Sequence, residues 1–218
     1  MQRFLDHTIE YLPILLTGLK LTILVTLGSL VVATLLGLVW ALMRVSGIRA
    51  LAAISRTAIN LIRGIPIIVQ LFYIYFVLPD FGITLTALQA AIIGLGIAYS
   101  AYQAENFRSG IEAIDHGQVE AAQSIGMGWV LMMRRVILPQ AVRIVLPPYG
   151  NTMIMMLKDS SQASTITVAE LALQGKLIAS ATFQNSTVFT LVALLYLTMS
   201  IPLIVFTGWL EKKFGRRA

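Results

Sequence analysis

Six side chains frame the chemical question. Arg63, Gln70, Asn151, Thr152, Met155 and Asp159 stand within or beside stretches that are otherwise apolar, and a charge placed in such surroundings is costly unless it has a partner or a task. On a helix, Asn151, Met155 and Asp159 recur every four residues and share one face, which the polar Thr152, Ser160, Ser161 and Gln162 widen. A zwitterion needs donors or a cation for its carboxylate and an acceptor or an anion for its ammonium. Arg63, Gln70, Asn151 and Thr152 offer the first, and Asp159 offers the second. Glu105 and Lys158 are the other ionisable groups to weigh. The bland alternative is that Lys158 and Asp159 mark an outer interface while Arg63 snorkels inward. Phe72, Tyr73, Tyr75 and Phe76 read as packing and interface anchors rather than a cage. His7 and His116 are isolated and cysteine is absent, so neither a metal site nor a disulfide framework is expected.

The elements that must carry these residues are membrane helices. Apolar residues make up 57% of the 218 and charged residues 12%, with a mean hydropathy of +0.82. A soluble domain carries about 45–50% and about 25%. Residues 21–43 and 81–104 run for 23 and 24 positions without a charge, and about 20 such residues cross a bilayer core. Lone spans in lipid must pair their backbone internally, and no alternating strands of barrel type occur. The expected fold is an all-α membrane protein forming a single domain. Five transmembrane helices are expected at about 13–43, 57–79, 85–105, 142–165 and 187–210. Pro66, in Arg63-Gly64-Ile65-Pro66, predicts a kink in the second, and residues 180–187 read as a loop. Ser29, Ala33 and Gly37, and then Ala90, Gly94 and Ala98, are rows of small residues that predict helix contact faces within the subunit. The first twelve residues hold Asp6, His7 and Glu10, a layout that does not predict a cleaved signal peptide.

Basic residues set the expected direction. With the N-terminus outside, the inner segments hold Arg44, Arg49, Arg56, Arg108, Arg134, Arg135, Arg143, Lys212, Lys213, Arg216 and Arg217, eleven in all. The outer segments hold three, Arg3, Lys158 and Lys176. The positive-inside rule therefore predicts N-out and C-in. The formal charge of +6 follows from this asymmetry and points to a membrane face, not to a nucleic acid.

The connection of about 106–140, between the third and fourth spans, is long for so small a membrane chain, and such lengths carry function or secondary structure of their own. Residues 118–125 are good helix formers around Ala121 and Ala122, Glu120 suits the positive end of a helix dipole, and Gly126 suits a C-terminal stop. A second helix of about 129–136 carries Arg134 and Arg135 towards Leu138-Pro139. Glu120-Ala-Ala, three residues, Gly126, nine residues, then Val136-x-Leu138-Pro139 resembles the EAA loop of permease subunits in bacterial ATP-driven (ABC) importers. The segments LIRGIPIIVQLFYIYFVLP, AYQAENFRSGIEAIDHGQVEAAQSIGM and RRVILPQAVRIVLPPYGNTMIMMLKDSS extend the resemblance over residues 63–161. They look like the polar amino-acid branch, which includes histidine, glutamine, arginine, opine and ectoine uptake systems.

The resemblance implies a multi-pass permease of the bacterial inner membrane that is not itself an enzyme. It implies a second permease chain, alike or related, two cytoplasmic ATPase subunits and an external solute-binding protein. Glu120, Ala121, Ala122, Ser124, Gly126, Arg134 and Arg135 would then meet the ATPase, and Arg63, Gln70, Asn151, Thr152, Met155 and Asp159 would line the substrate path. No G-x4-G-K-[ST] phosphate loop is present, so this chain is expected to bind no cofactor, with ATP and Mg held by the partners. The branch often has threonine where Ile65 stands, and an acidic residue where Thr152 stands when the substrate is cationic; both departures speak against a strongly basic amino acid. The rival readings are a self-contained ion-coupled carrier or channel, which has no use for an ATPase dock, and a purely structural membrane subunit, for which the polar face of the fourth span would be unexpected.

Overall fold

The computed structural model describes residues 2–214, with side chains from His7 onward, and the elements it assigns are all helical. Arg216, Arg217 and the side chain of Arg3, which enter the basic count, lie outside the described residues. Helix α1 (Gln2–Val45) starts well before the expected residue 13 and continues through Pro13, which removes one ladder bond without ending the helix. Thr22 and Thr26 are buried along it, and each hydroxyl donates to the carbonyl four residues back. That local bond is what lets a hydroxyl sit on an apolar helix.

Helix α1 packs along α4 (Ala87–Glu112), which opens on a capping box between Thr86 and Gln89. The two helices run in the same direction and approach closely at glycines. A Cβ added at Gly28 would stand 3.0 Å from Ile92, at Gly96 2.5 Å from Val32, and at Gly37 2.8 Å from Gln103. The small-residue rows thus find partners inside the chain: Ser29 and Ala33 are fully buried, while Gly94 meets Leu71.

The second expected span is not one helix. Helix α2 (Arg49–Gly64) and a following helix α3 (Ile67–Phe81, with a π-helical turn at Tyr73–Val77) meet at a 98° bend. Pro66 has no N–H for the carbonyl of Ile62 and pushes Ile65 into extended backbone, φ −107° and ψ 130°. The Gln70 side-chain amide replaces the lost donor, reaching the carbonyls of Ile62 and Ile65 at 2.8 Å each. A kink was legible at Pro66; a right-angled corner with its own clamp was not.

Beyond α4, α5 (His116–Ser124) is capped by Asp115. A short α6 (Trp129–Met132) and a π-helical turn at Met133–Ile137 lead into α7 (Leu138–Asp159). After a 3-10 segment at Ser160–Ile166 comes α8 (Leu171–Thr182), a helix absent from the expected set, then α9 (Asn185–Phe214). Glu170 ties α8 down. Its carboxylate is fully buried and accepts from the backbone N–H groups of Ala172 and Leu173, from Tyr196 of α9, all at 2.9 Å, and from Thr22 of α1 at 3.3 Å. By length and apolarity alone, α1 from His7 and α9 suffice to cross a membrane, with the bent α2–α3 pair a third at most. Helices α4 and α7 fall short among the described residues because polar side chains interrupt their apolar runs.

Candidate substrate path and coupling loop

Polar residues of α4 and α7 meet each other inside the bundle. Thr152 is buried; its hydroxyl donates to the Pro148 carbonyl at 2.9 Å and accepts from the Asn106 amide at 3.0 Å. Asn106 also donates to Gln103 at 3.1 Å, and Gln103 is itself fully buried with its amide nitrogen unpaired among the described residues. At the far end of α7, Asp159 accepts a 2.7 Å hydrogen bond from the Tyr99 hydroxyl. Tyr99 lies 5.6 Å from Tyr102, ring to ring, and the Arg63 guanidinium covers Tyr102 at 5.2 Å. Two tyrosines of α4 therefore connect Arg63, at the α2–α3 corner, to Asp159 at the end of α7.

Asn151 and Met155 face the other way. With Lys158 they line a groove of about 490 Å³ between α7 and α9, and Asn151 donates to Glu211 of α9 at 3.0 Å. Lys158 also borders a second groove of about 480 Å³ with Ser161, Tyr196 and Ser200, so it stands between the two grooves. Neighbouring residues on a helix point about 100° apart, which is why Asn151 and Thr152 end on different surfaces. The expected common face thus holds for Asn151 and Met155, while Asp159 turns to α4. Gln70 is occupied by the corner carbonyls described above.

Residue spacing alone could have found the partners that were missed. Tyr99, Gln103 and Asn106 recur every three or four residues on the third span, a polar stripe of helical period. Nothing local announces Glu170, whose partners come from α1 and α9.

In the connecting loop, α5 ends as its residues predict. Gly126 takes φ +78°, its N–H bonds the Gln123 carbonyl at 2.9 Å, and the Met127 N–H bonds the Ala122 carbonyl at 3.0 Å. This pair of bonds is a Schellman cap, with Met127 and Ala122 packed in one small apolar cluster. Glu120, Ala121 and Ser124 stand on α5, and Arg134 and Arg135 on the π-helical turn. Glu120 and Ser124 are exposed and Ala122 is buried. At the head of the loop Arg108 pairs with both Glu105 and Glu112, and the hydrogen bonds to Glu105 first, then the one to Glu112, hold its guanidinium above its ordinary pKa.

Comparison with known proteins places this architecture. The probable amino-acid ABC transporter permease protein YckA of Bacillus subtilis is 39% identical over 207 residues, covering 95% of this chain and 92% of the relative. The octopine transport system permease protein OccM of Rhizobium meliloti is 37% identical over 219 residues, covering 93% and 89%. The crystal structure of an amino acid ABC transporter with histidines superposes with a TM-score of 0.88 at 38% identity, over 96% of this chain and 98% of that one. An inward-facing MetNI methionine ABC transporter shares the fold, at a TM-score of 0.72 and 22% identity over 93% of this chain and 94% of that one. Residues 33–216 match the family of binding-protein-dependent transport system inner membrane components, and the chain, an ABC transporter permease subunit, belongs to it.

Proposed function

We propose that this permease moves an amino acid or a related small zwitterion into the cytoplasm, as a dimer with a second permease chain, driven by two ATPase subunits and supplied by an external binding protein. One observation carries the substrate reading: the end of α7 holds a cation and an anion on adjacent residues, Lys158 facing the α7–α9 seam with Asn151 and Asp159 facing Tyr99 of α4. The names of the relatives support the substrate class. The groove is lined by α7 and α9 alone, so a second permease chain set against those two helices would close it. The loop between α4 and α7 is the ATPase dock: α5 presents Glu120, Ala121, Ala122 and Ser124, Gly126 ends it, and Arg134 and Arg135 follow. In the membrane the chain has five spans, formed by α1, the α3 arm of the bent α2–α3 pair, α4, α7 and α9, N-out and C-in.

Asp159→Asn tests the substrate site. A charge-assisted hydrogen bond becomes a neutral one, so the substrate concentration needed for half-maximal ATPase stimulation should rise roughly 5- to 150-fold in reconstituted complexes. An unchanged concentration dependence in both Asp159→Asn and Asn151→Ala removes α7 from the site. Orientation has its own check. A reporter active only in the cytoplasm should work when fused after Arg217 and stay silent at the N-terminus; the reverse pattern would turn the α5 loop outward and end the coupling proposal.

A further inference from the structure

Helix α2 does not have the character of a membrane span. Its 16 residues carry Arg49, Arg56 and Arg63 at intervals of seven, a spacing that drifts only about 20° per step, so the three guanidiniums form one stripe. Ile54 and Leu61 are also seven apart, are 56% and 64% exposed, and stand roughly 140–160° round the helix from that stripe. Between them lies the side that faces the bundle, with Ser55 and Ile59 buried. Neither Arg49 nor Arg56 has a carboxylate partner among the described residues.

The contacts of α2 show how it lies. The Ser55 hydroxyl bonds the Trp40 carbonyl near the inner end of α1, Ile59 packs on Ala101 and Ala104 of α4, and Arg63 covers Tyr102. From Ser55 to Arg63 the chain thus crosses α1 and α4 at nearly one level. Over the next eight residues it climbs to Leu71, which meets Gly94, a rise of about 12 Å along α4. Helix α3 is upright and α2 is flat, which is what the 98° corner produces.

We infer that α2 is an interfacial helix that binds anionic lipid headgroups of the cytoplasmic leaflet. Arg49 and Arg56 meet the headgroup phosphates, while Ile54 and Leu61 sink into the acyl boundary. A helix with a basic stripe, an exposed apolar edge nearly opposite and little net hydrophobicity suits a membrane surface. Lying flat, the helix turns its apolar edge to the acyl boundary, and the long arginine side chains of the other edge reach back to the headgroup phosphates. The inference rests on the membrane placement proposed above and not on the substrate or the coupling loop.

The chain has no cysteine, so single cysteines at Ala53, Ile54, Asn60 and Leu61 can be spin-labelled in the assembled complex. In phosphatidylcholine vesicles containing phosphatidylglycerol, labels at 54 and 61 should be reached by oxygen from the lipid, and those at 53 and 60 by a water-soluble nickel chelate. Accessibility that changes steadily along α2, without helical period, would mean that α2 spans the membrane, and would overturn the inference while leaving the reporter-fusion result untouched. A fluorophore at position 54 should be quenched more by brominated phosphatidylglycerol than by brominated phosphatidylcholine. That preference should fall roughly fivefold for each of Arg49→Gln and Arg56→Gln, and the paired lysine variants should retain it. Equal quenching by the two lipids, or a preference unchanged in the double glutamine variant, overturns the lipid assignment. So does a label at 53 shielded from water and lipid until the ATPase subunits are removed.

Discussion

Glu170→Ala should destabilise the folded protein by about 3–5 kcal/mol. The carboxylate is fully buried, and removing it strands two backbone N–H groups of α8, the Tyr196 hydroxyl and the Thr22 hydroxyl, all of which now donate to it. The space would be too poorly shaped for the neighbours to close, because α8 starts against α1: a Cβ at Gly18 would lie 2.9 Å from the Leu171 Cα. Glu170→Gln keeps the volume and one acceptor oxygen, so it should lose about half as much. Thermal denaturation of the detergent-solubilised complex, followed by size exclusion, reads both variants. A melting midpoint unchanged in Glu170→Ala would show that α8 is held by packing alone.

Gly126→Val should cut transport-coupled ATP hydrolysis roughly tenfold while membrane insertion and assembly stay intact. The backbone there sits at φ +78° with nothing within 4 Å of where a Cβ would stand. The penalty is therefore pure backbone strain, about 1–2 kcal/mol or more for a β-branched residue in the left-handed region. Relief of that strain would unwind the Schellman cap and redirect the end of α5. Gly126→Asn is the companion variant, since asparagine tolerates this conformation, and it should run close to the unaltered protein. A Gly126→Val complex that assembles and transports at the normal rate would separate α5 from the ATPase dock.

These two sites mark the range of what the residues disclose by themselves. Helix α5 is local: formers around Ala121 and a glycine after them predict a helix at 118–125 ending at Gly126, and the structure has His116–Ser124 with that glycine in the cap. Pro66 likewise announces a missing hydrogen bond. The size of the bend depends on Gln70 filling the Ile62 carbonyl and on α2 lying flat, and neither follows from proline. The 57–79 window joined the C-terminal half of α2 to α3 because both are apolar on average, which hides the change of direction at Ile65. Helix α8 is short, and its defining residue bonds Thr22 at a separation of 148 positions; no local signal carries such a contact. At the candidate site, helical spacing correctly grouped Asn151 with Met155. It could not say that Thr152 would find Asn106, or that Asp159 would leave the groove for Tyr99, because those outcomes depend on which helix stands beside each face.

The close approaches between α1 and α4 fix where a transport cycle can move. Contacts at Gly28, Gly96 and Gly37 recur over residues 28–37 of α1 and 92–103 of α4, and at each the neighbour occupies the volume a methyl group would need. Interlocked in this way, the two helices cannot slide along or roll over each other by a fraction of a turn without collision. They form a rigid pair. The same interlock ties α3 and α7 to α4, where a Cβ at Gly94 would stand 2.7 Å from Leu71 and one at Gly110 would collide with Val145, so displacement between states is expected to carry this set as a block rather than as shear within it. The Gln70 clamp suits a subunit that moves as a block, because its two bonds keep the freed carbonyls of the corner paired whatever the block does.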